Sequence, residues 1–503
     1  MRIITGATAA LSRRVSAFAI GSNNFVKAAG RGLSSAPPEL PPCDFTPSAY
    51  QGPDPERVSR VRRDHLSPAL LASFRRPVII HQGHMQYLFD HTGRRYLDLF
   101  GGIVTVSVGH CHPKVTAAAR EQMDRLWHTT NIYLHPKIHE YTERLLATMP
   151  SHLQVVHLVN SGSEANDLAV LLARLSTGHF DVISLRNAYH GMGPHGMALT
   201  AHSTWKYNVA HMFGVHHAMN ADPYRGPWGG ARCRDSPVQT DRHCDCAAGH
   251  CQASQLYADQ LAETLRYSCP KGRVAAFFAE SIQGVGGTVQ FPIGYLQKAE
   301  ALVRDHGGLL VMDEVQTGFG RTGEHFWAFE GHGVRPDIVT MAKGIGNGFP
   351  LAAVVTTKEV AAKMSEALHF NTYGGGPVSS AVGIAVLDAL AEDGCQERAG
   401  RLGTRLLHAL AQLRDRHPAV GDVRGKGLMI GIELVAEPRG RQPLGTDAVG
   451  DVWEHAKDRG LLVGRGGHFG NVLRIKPPMC ITDEDVDFAV AVLDEAFTAH
   501  LPQ

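Results

Sequence analysis

Beyond residue 150 the chain alternates short β-branched runs with longer stretches of helical periodicity, the pattern of a mainly parallel sheet covered on both faces. The apolar runs predict strands over 154–159, 181–185, 274–279, 308–313, 337–341 and 352–356. The run after residue 160 predicts a helix with Leu168, Leu171, Leu172 and Leu175 on one face. Polar or glycine-rich segments fall at the C-terminal ends of these strands, the edge at which open α/β sheets bind ligands. No internal repeat is present, and no low-complexity tract outside the N-terminal segment.

Residues 1–38 follow a different pattern. They carry Arg2, Arg13, Arg14, Lys27 and Arg31, are rich in Ser and Ala, and contain no acidic residue. Leu11, Val15 and Phe18 recur at helical spacing, which predicts a short basic amphipathic helix. This is the composition of a mitochondrial presequence ending near residues 35–42, and Arg13 and Arg14 break the apolar run that a secretory signal would need.

Composition narrows the partners. The chain has 503 residues, 44% of them hydrophobic, enough for a large domain plus a smaller one. No apolar stretch is long enough to span a bilayer. The 49 Lys and Arg nearly cancel the 48 Asp and Glu, so no net field draws nucleic acid or an anionic membrane. A small molecule is the expected partner.

Nine cysteines in so long a chain argue against a disulfide framework. Cys233, Cys244, Cys246 and Cys251 lie with His243 and His250 in a polar stretch over 225–256. Such side chains suit zinc. Their spacing does not fit the common paired CxxC pattern, so a surface insertion with incidental thiols, and no metal, is the expectation.

The strand-end segments carry the candidate chemistry. Lys343 follows one strand in DIVTMAKGIGNGFP, and Asp313 ends another in GLLVMDEVQTG. A lysine amine to join covalently to an aldehyde, with an aspartate to keep a ring nitrogen protonated, is what pyridoxal 5'-phosphate requires at its two ends. In the turn NSGSEAN, Gly162 and Ser163 stand at a helix start, where free N–H groups suit a phosphate; Ser163 as an ordinary cap weighs equally. Tyr189 and His190, in NAYHG, are ambiguous singly, since an aromatic there either stacks on a planar ligand or packs in the core. The match of residues 318–323 to GxGxxG is weak evidence for a nicotinamide site: a poor helix follows, with no acidic residue at the usual distance.

Together these motifs resemble the class III, or ω-, aminotransferases of fold type I. The resemblance runs from about residue 45 to the C-terminus through YLDLFGGIVTVSVGHCHPKV, NSGSEAND, AYHG, FFAESIQG, MDEVQTGFGRTG, MAKGIGNGFP, NTYGGGP and LRIKPP. It implies an α/β architecture with a mainly parallel seven-stranded sheet in a large domain (126–385). A smaller α/β domain would be built from 39–125 and 386–503. Lys343 would carry pyridoxal phosphate, Asp313 would face the pyridine nitrogen, Gln316 the ring hydroxyl, and Glu280 the hydrogen-bond network beside it. Gly162 and Ser163 would hold the phosphate and Tyr189 would stack on the ring. Thr372 would reach the phosphate of a neighbouring subunit's cofactor, which requires at least a homodimer and leaves a homotetramer open. Arg474 would grip the substrate carboxylate, and Ile103 would line the substrate pocket, with core packing as its plain alternative.

The implied reaction is ping-pong transamination between small amino and oxo acids: L-alanine with glyoxylate, with 3-aminoisobutyrate, β-alanine and dimethylarginines as further donors. A phospho-lyase of the same family, or another ω-amino acid aminotransferase, is the alternative. Three departures from the family pattern stand out. Val285 replaces a glutamate able to pair with the substrate arginine, Ser281 replaces a proline, and Gly376 replaces an asparagine.

Overall fold

The computed structural model describes residues 37–70, 74–247, 250–270, 273–437 and 440–502. All but the last two residues of the expected N-terminal presequence therefore lie outside the described residues. Residues 40–503 form one compact unit.

A seven-stranded sheet occupies its centre: β1 (Val155–Val159), β2 (Val182–Leu185), β3 (Val215–Ala218), β4 (Ala276–Glu280), β5 (Leu309–Asp313), β6 (Ile338–Met341) and β7 (Ala352–Thr356), in the spatial order β1-β7-β6-β5-β4-β2-β3. From β6 to β3 every neighbouring pair is parallel. Strand β7 runs antiparallel between β1 and β6. Strands β2, β4, β6 and β7 are buried along their whole length, as expected where helices cover both faces. All six predicted strands form, with ends within two residues of expectation. The seventh, β3, has the sequence VHHA, whose paired histidines hide it from a hydrophobic pattern.

The helix Gly162–Thr177 buries Ala165, Leu168, Ala169, Leu172 and Ala173 against this sheet. Leu171, expected on that face, is exposed, because small residues at 165, 169 and 173 bring the helix close on the adjacent stripe.

Two four-stranded sheets flank the centre. One joins Ile80–His84, Tyr87–Asp90 and Arg95–Asp98 to the distant strand Leu461–Leu462; the other contains Val420–Lys426, Met429–Leu434, Val472–Ile475 and Gly464–Gly466. Among the described residues no helix is long and apolar enough to cross a membrane.

Candidate active site

The C-terminal ends of β4, β5 and β6 deliver Glu280, Asp313 and Lys343 to one region. Glu280 and Asp313 end adjacent strands in register with each other, and Lys343 opens a short 3-10 turn just past β6. The lysine backbone sits in the left-handed region, at φ 54°, a conformation that strains a residue with a side chain. Burial pushes its amine down to about 8, against the attraction of Asp313 and with help from the charge of Arg474. No hydrogen bond engages this amine among the described residues.

Asp313 is 4% exposed. Its Oδ2 accepts hydrogen bonds from Asn166 Nδ2 (2.8 Å) and pairs with His190 Nδ1 (2.8 Å), and its Oδ1 accepts from the Val315 amide (3.0 Å). Asn166 is itself fixed by the Thr340 hydroxyl (2.8 Å) and by donating to the His190 carbonyl (2.9 Å). His190 and Asn166 thus resolve to the same carboxylate. Sequence reasoning left His190 open and passed over Asn166, since the helix, the loop after β2 and the end of β5 meet only in three dimensions.

Glu280 is buried. It accepts from the Tyr189 amide (3.2 Å) and the Gly284 amide (2.7 Å). Burial raises its pKa, opposed by His190. Tyr189 is partly buried with its ring edge on Trp205, centroids 5.2 Å apart, and is therefore no core aromatic.

At the start of the helix Gly162–Thr177 the cap is Ser161, whose hydroxyl accepts from the Glu164 amide at 3.2 Å. The capping reading of Ser163 therefore fails. Its Oγ instead accepts from the Met192 amide (3.0 Å) in the Tyr189 loop. The amides of Gly162 and Ser163 fall in the first turn, where a helix provides no internal acceptor. The Glu164 carboxylate ties this turn to Asn371 (3.0 Å). Thr372, next along, is exposed and makes no contact with the other candidates within the chain.

Arg474 is buried on Val472–Ile475. It stacks over Phe100 at 5.1 Å and donates to the Gly284 carbonyl (3.3 Å), while its Nε is buried without a partner. Desolvation lowers its pKa to about 10. Among the described residues no carboxylate forms an ion pair with it, Glu280 acting only at longer range, and Val285 is buried.

Two residues on, Lys476 is fully buried and donates to the Gly284 carbonyl (3.3 Å) and Gln316 Oε1 (3.1 Å). Burial, with Arg474 and Lys343 nearby, drives its pKa well down. A neutral amine keeps both bonds. Lys476 therefore fixes the amide of Gln316 with its oxygen inward. A Cβ at Gly284 would stand 2.3 Å from that oxygen, so a side chain there would push the Gln316 amide out of this position.

Ile103 lies in Gly101–Val104, where all four residues have positive φ. It is 42% exposed, so the core alternative fails. Asn347 fastens the segment that follows: its Oδ1 accepts from the Ser107 (2.8 Å) and Val108 (3.0 Å) amides, and its Nδ2 donates to the Gly109 carbonyl (2.9 Å). A Cβ at Gly344 would meet Ser107 Oγ at 2.4 Å, so the lysine turn and this segment touch backbone to side chain.

Of the departures, Ser281 is buried and donates to the buried carboxylate of Glu314, which also accepts from Thr317 (2.8 Å) and the Ala328 (3.0 Å) and Phe329 (2.9 Å) amides. Gly376 caps the helix Pro377–Glu392 with no side-chain bond. The GxGxxG run forms tight turns packed on Trp327 through Phe319 (4.9 Å), with no helix of the dinucleotide type behind it.

The family model for aminotransferase class III matches residues 72–497. Alanine–glyoxylate aminotransferase 2, mitochondrial, of Homo sapiens is 53% identical over 465 residues, covering 92% of this chain and 90% of its own. A Drosophila melanogaster protein described as alanine–glyoxylate aminotransferase 2-like is 40% identical over 453 residues, covering 88% and 87%. Among solved structures, an Arthrobacter phospholyase in complex with phosphoethanolamine superposes with TM-score 0.78 at 30% identity, covering 89% of this chain and 100% of that one. A PLP-bound amine transaminase from an uncultivated Pseudomonas species gives 0.77 at 29%, covering 92% and 100%.

Proposed function

Since the chain belongs to the class III aminotransferases, and so is a pyridoxal phosphate-dependent transaminase, we propose that it transfers the amino group of L-alanine to glyoxylate, giving pyruvate and glycine. 3-Aminoisobutyrate, β-alanine and dimethylarginines would be further donors. The residues at the site fit the cofactor: a half-buried amine with no hydrogen-bond partner among the described residues, a buried aspartate held by Asn166 and His190, and a helix start with free amides.

Bound pyridoxal phosphate supplies an aldehyde for capturing amines and a ring that accepts electrons. The chain's residues do the rest. Gly162 and Ser163 bind the phosphate through helix-start amides. Asp313, oriented by Asn166 and His190, keeps a negative charge opposite the ring nitrogen. Gln316, its oxygen occupied by Lys476, would offer its NH2 to the ring hydroxyl; Glu280 braces the Tyr189 loop, and Tyr189 would cover the ring. Lys343, with its amine near 8, removes and returns the proton at the substrate Cα, since a group with a pKa near ambient pH does both. Arg474 orients the substrate through its carboxylate, where a guanidinium fork matches two oxygens.

The observation that carries the choice of substrate is the freedom of Arg474: a buried guanidinium with an unpaired Nε, no carboxylate partner, and Val285 where an acid would shield it. A small α-carboxylate suits that vacancy. A panel of donors and acceptors scored by kcat/KM tests it, with alanine and glyoxylate expected to lead. Val285→Glu is expected to lower kcat/KM for alanine by about tenfold or more, roughly the cost of one competing ion pair; unchanged alanine turnover would sink the explanation. The phospholyase among the structural neighbours makes elimination of phosphate the second reading. A phosphate-release assay without an oxo acid separates the two.

Thr372 would serve the partner subunit's cofactor in a dimer. An exposed apolar surface beside it supports this: Ile132 and Leu134 on one loop, Leu368 and Phe370 on another, the two linked by the His128–Tyr373 ring contact at 5.6 Å. The basic N-terminal segment and the mitochondrial relatives together support a matrix location.

A further inference from the structure

Between the strands β3 and β4 the chain gathers four cysteines that the spacing alone scatters. The Sγ atoms of Cys233, Cys244 and Cys246 lie within 4.8 Å of one another, and those of Cys233 and Cys244 are 3.7 Å apart. Cys251, the N-cap of the helix Gln252–Ser268, brings a fourth sulfur beside those of Cys233 and Cys246, outside the mutual 4.8 Å spacing of the first three. Cys233 and Cys246 are buried, and the other two partly so. The neighbouring histidines stay out. His243 points to solvent, 85% exposed and paired with Asp245, and His250 is exposed.

A separation of 3.7 Å is far beyond the bond length of a disulfide, about 2.05 Å. It matches the tetrahedral edge of about 3.8 Å that four zinc–sulfur bonds of about 2.3 Å produce. Backbone donors already serve the sulfurs. The Cys246 amide donates to Cys244 Sγ (3.4 Å) and the Gln252 amide to Cys246 Sγ (3.3 Å), the outer hydrogen bonds that stabilise thiolate ligands.

We propose that Cys233, Cys244, Cys246 and Cys251 bind one structural Zn2+. Four Zn–S bonds form, the four S–H protons pass to solvent, and no electron is transferred. With four protein ligands the site is closed, so the ion is a staple with no position for substrate. What it holds is visible in the next residue. Arg234 is buried and donates to both oxygens of Asp422 (2.7 and 2.9 Å) and to the Val423 carbonyl (2.7 Å), on the strand Val420–Lys426. The Cys233 carbonyl accepts from the Ile293 amide (2.8 Å). The metal thus fixes a segment that ties the 225–256 insertion to the flanking C-terminal sheet.

The test uses the full-length holoenzyme, purified without chelator from zinc-supplemented cells and assayed by elemental mass spectrometry. About one zinc per chain is expected, released when a mercurial titrates the thiols. Cys244→Ser and Cys246→Ser should each lose the zinc and lower Tm while keeping the visible cofactor band, and Cys269→Ser, at a buried cysteine outside the cluster, should keep it. Wild-type metal content decides the matter even if the cluster variants fail to fold. Folded, active wild-type enzyme with less than a tenth of a zinc per chain, with iron in its place, or with a disulfide among the four cysteines by mass mapping would overturn the proposal.

Discussion

Lys343 holds its amine near 8 because burial outweighs the attraction of Asp313. At pH 7 about a tenth of such amines are neutral, against roughly one in three thousand for an ordinary lysine. Only the neutral amine attacks an aldehyde. The rate at which apoenzyme takes up pyridoxal phosphate should therefore rise about tenfold from pH 7 to 9 and then level off, followed by stopped-flow absorbance; a rate still climbing past pH 10 would mean an unperturbed lysine. The same shift acts on the stability of the apoenzyme with a definite sign. The folded pKa lies below the unfolded one, so the penalty is fully present below about 8 and fades as pH rises from there to the unfolded value. Lys476 acts by a different route, through Gln316. Lys476→Met leaves the Gln316 oxygen without its donor, a cost of about 1–3 kcal/mol, while the Gly284 carbonyl keeps Arg474. Cofactor Kd should rise about tenfold or more by equilibrium dialysis, that is, by roughly one such group's worth, and Lys476→Gln, which keeps a donor, should recover part of it.

At the level of elements, the strands were legible because β-branched runs that are buried on both faces leave little else for such residues to do. Strand β3 was not, since in VHHA the histidines bond outside the ladder, His216 to Asp181 and His217 to the Ala198 carbonyl. The site divides along the same line. Lys343 and Asp313 could be placed because they stand at or just past the end of a strand, and Glu280 through the family resemblance. Asn166, His190 and Lys476 could not, because their roles depend on side chains meeting across elements that the sequence separates by more than a hundred positions. The four cysteines stand together in the sequence, within 225–256, but whether their sulfurs meet depends on loop geometry that spacing does not give. Ser281 adds a further case: read as a lost proline, it proves to be a donor to the buried Glu314. Ser281→Ala should destabilise the fold by about 1–3 kcal/mol, measured by urea denaturation, and Ser281→Thr should be milder; an alanine variant as stable as the parent would mean the bond is dispensable.

For the whole molecule, the surface around Thr372 carries the strongest expectation. Leu134 and Leu368 are 87% and 104% exposed, values that large aliphatic side chains seldom keep without a partner. The double variant Leu134→Asp, Leu368→Asp should shift the protein to monomer by light scattering and weaken cofactor binding at the same time, because Thr372 would lose the phosphate it is proposed to reach. A dimer that survives this change would place the interface elsewhere.

Asn347 grips 107–109 from four residues past Lys343. A wall keyed in this way to the reacting amine cannot swing out as a separate flap. The first product leaves, and the second substrate arrives, past the same fixed contour. Discrimination between amino donor and oxo acid acceptor must then come from the molecules' own shape and charge, with no rebuilt doorway for the return half of the cycle.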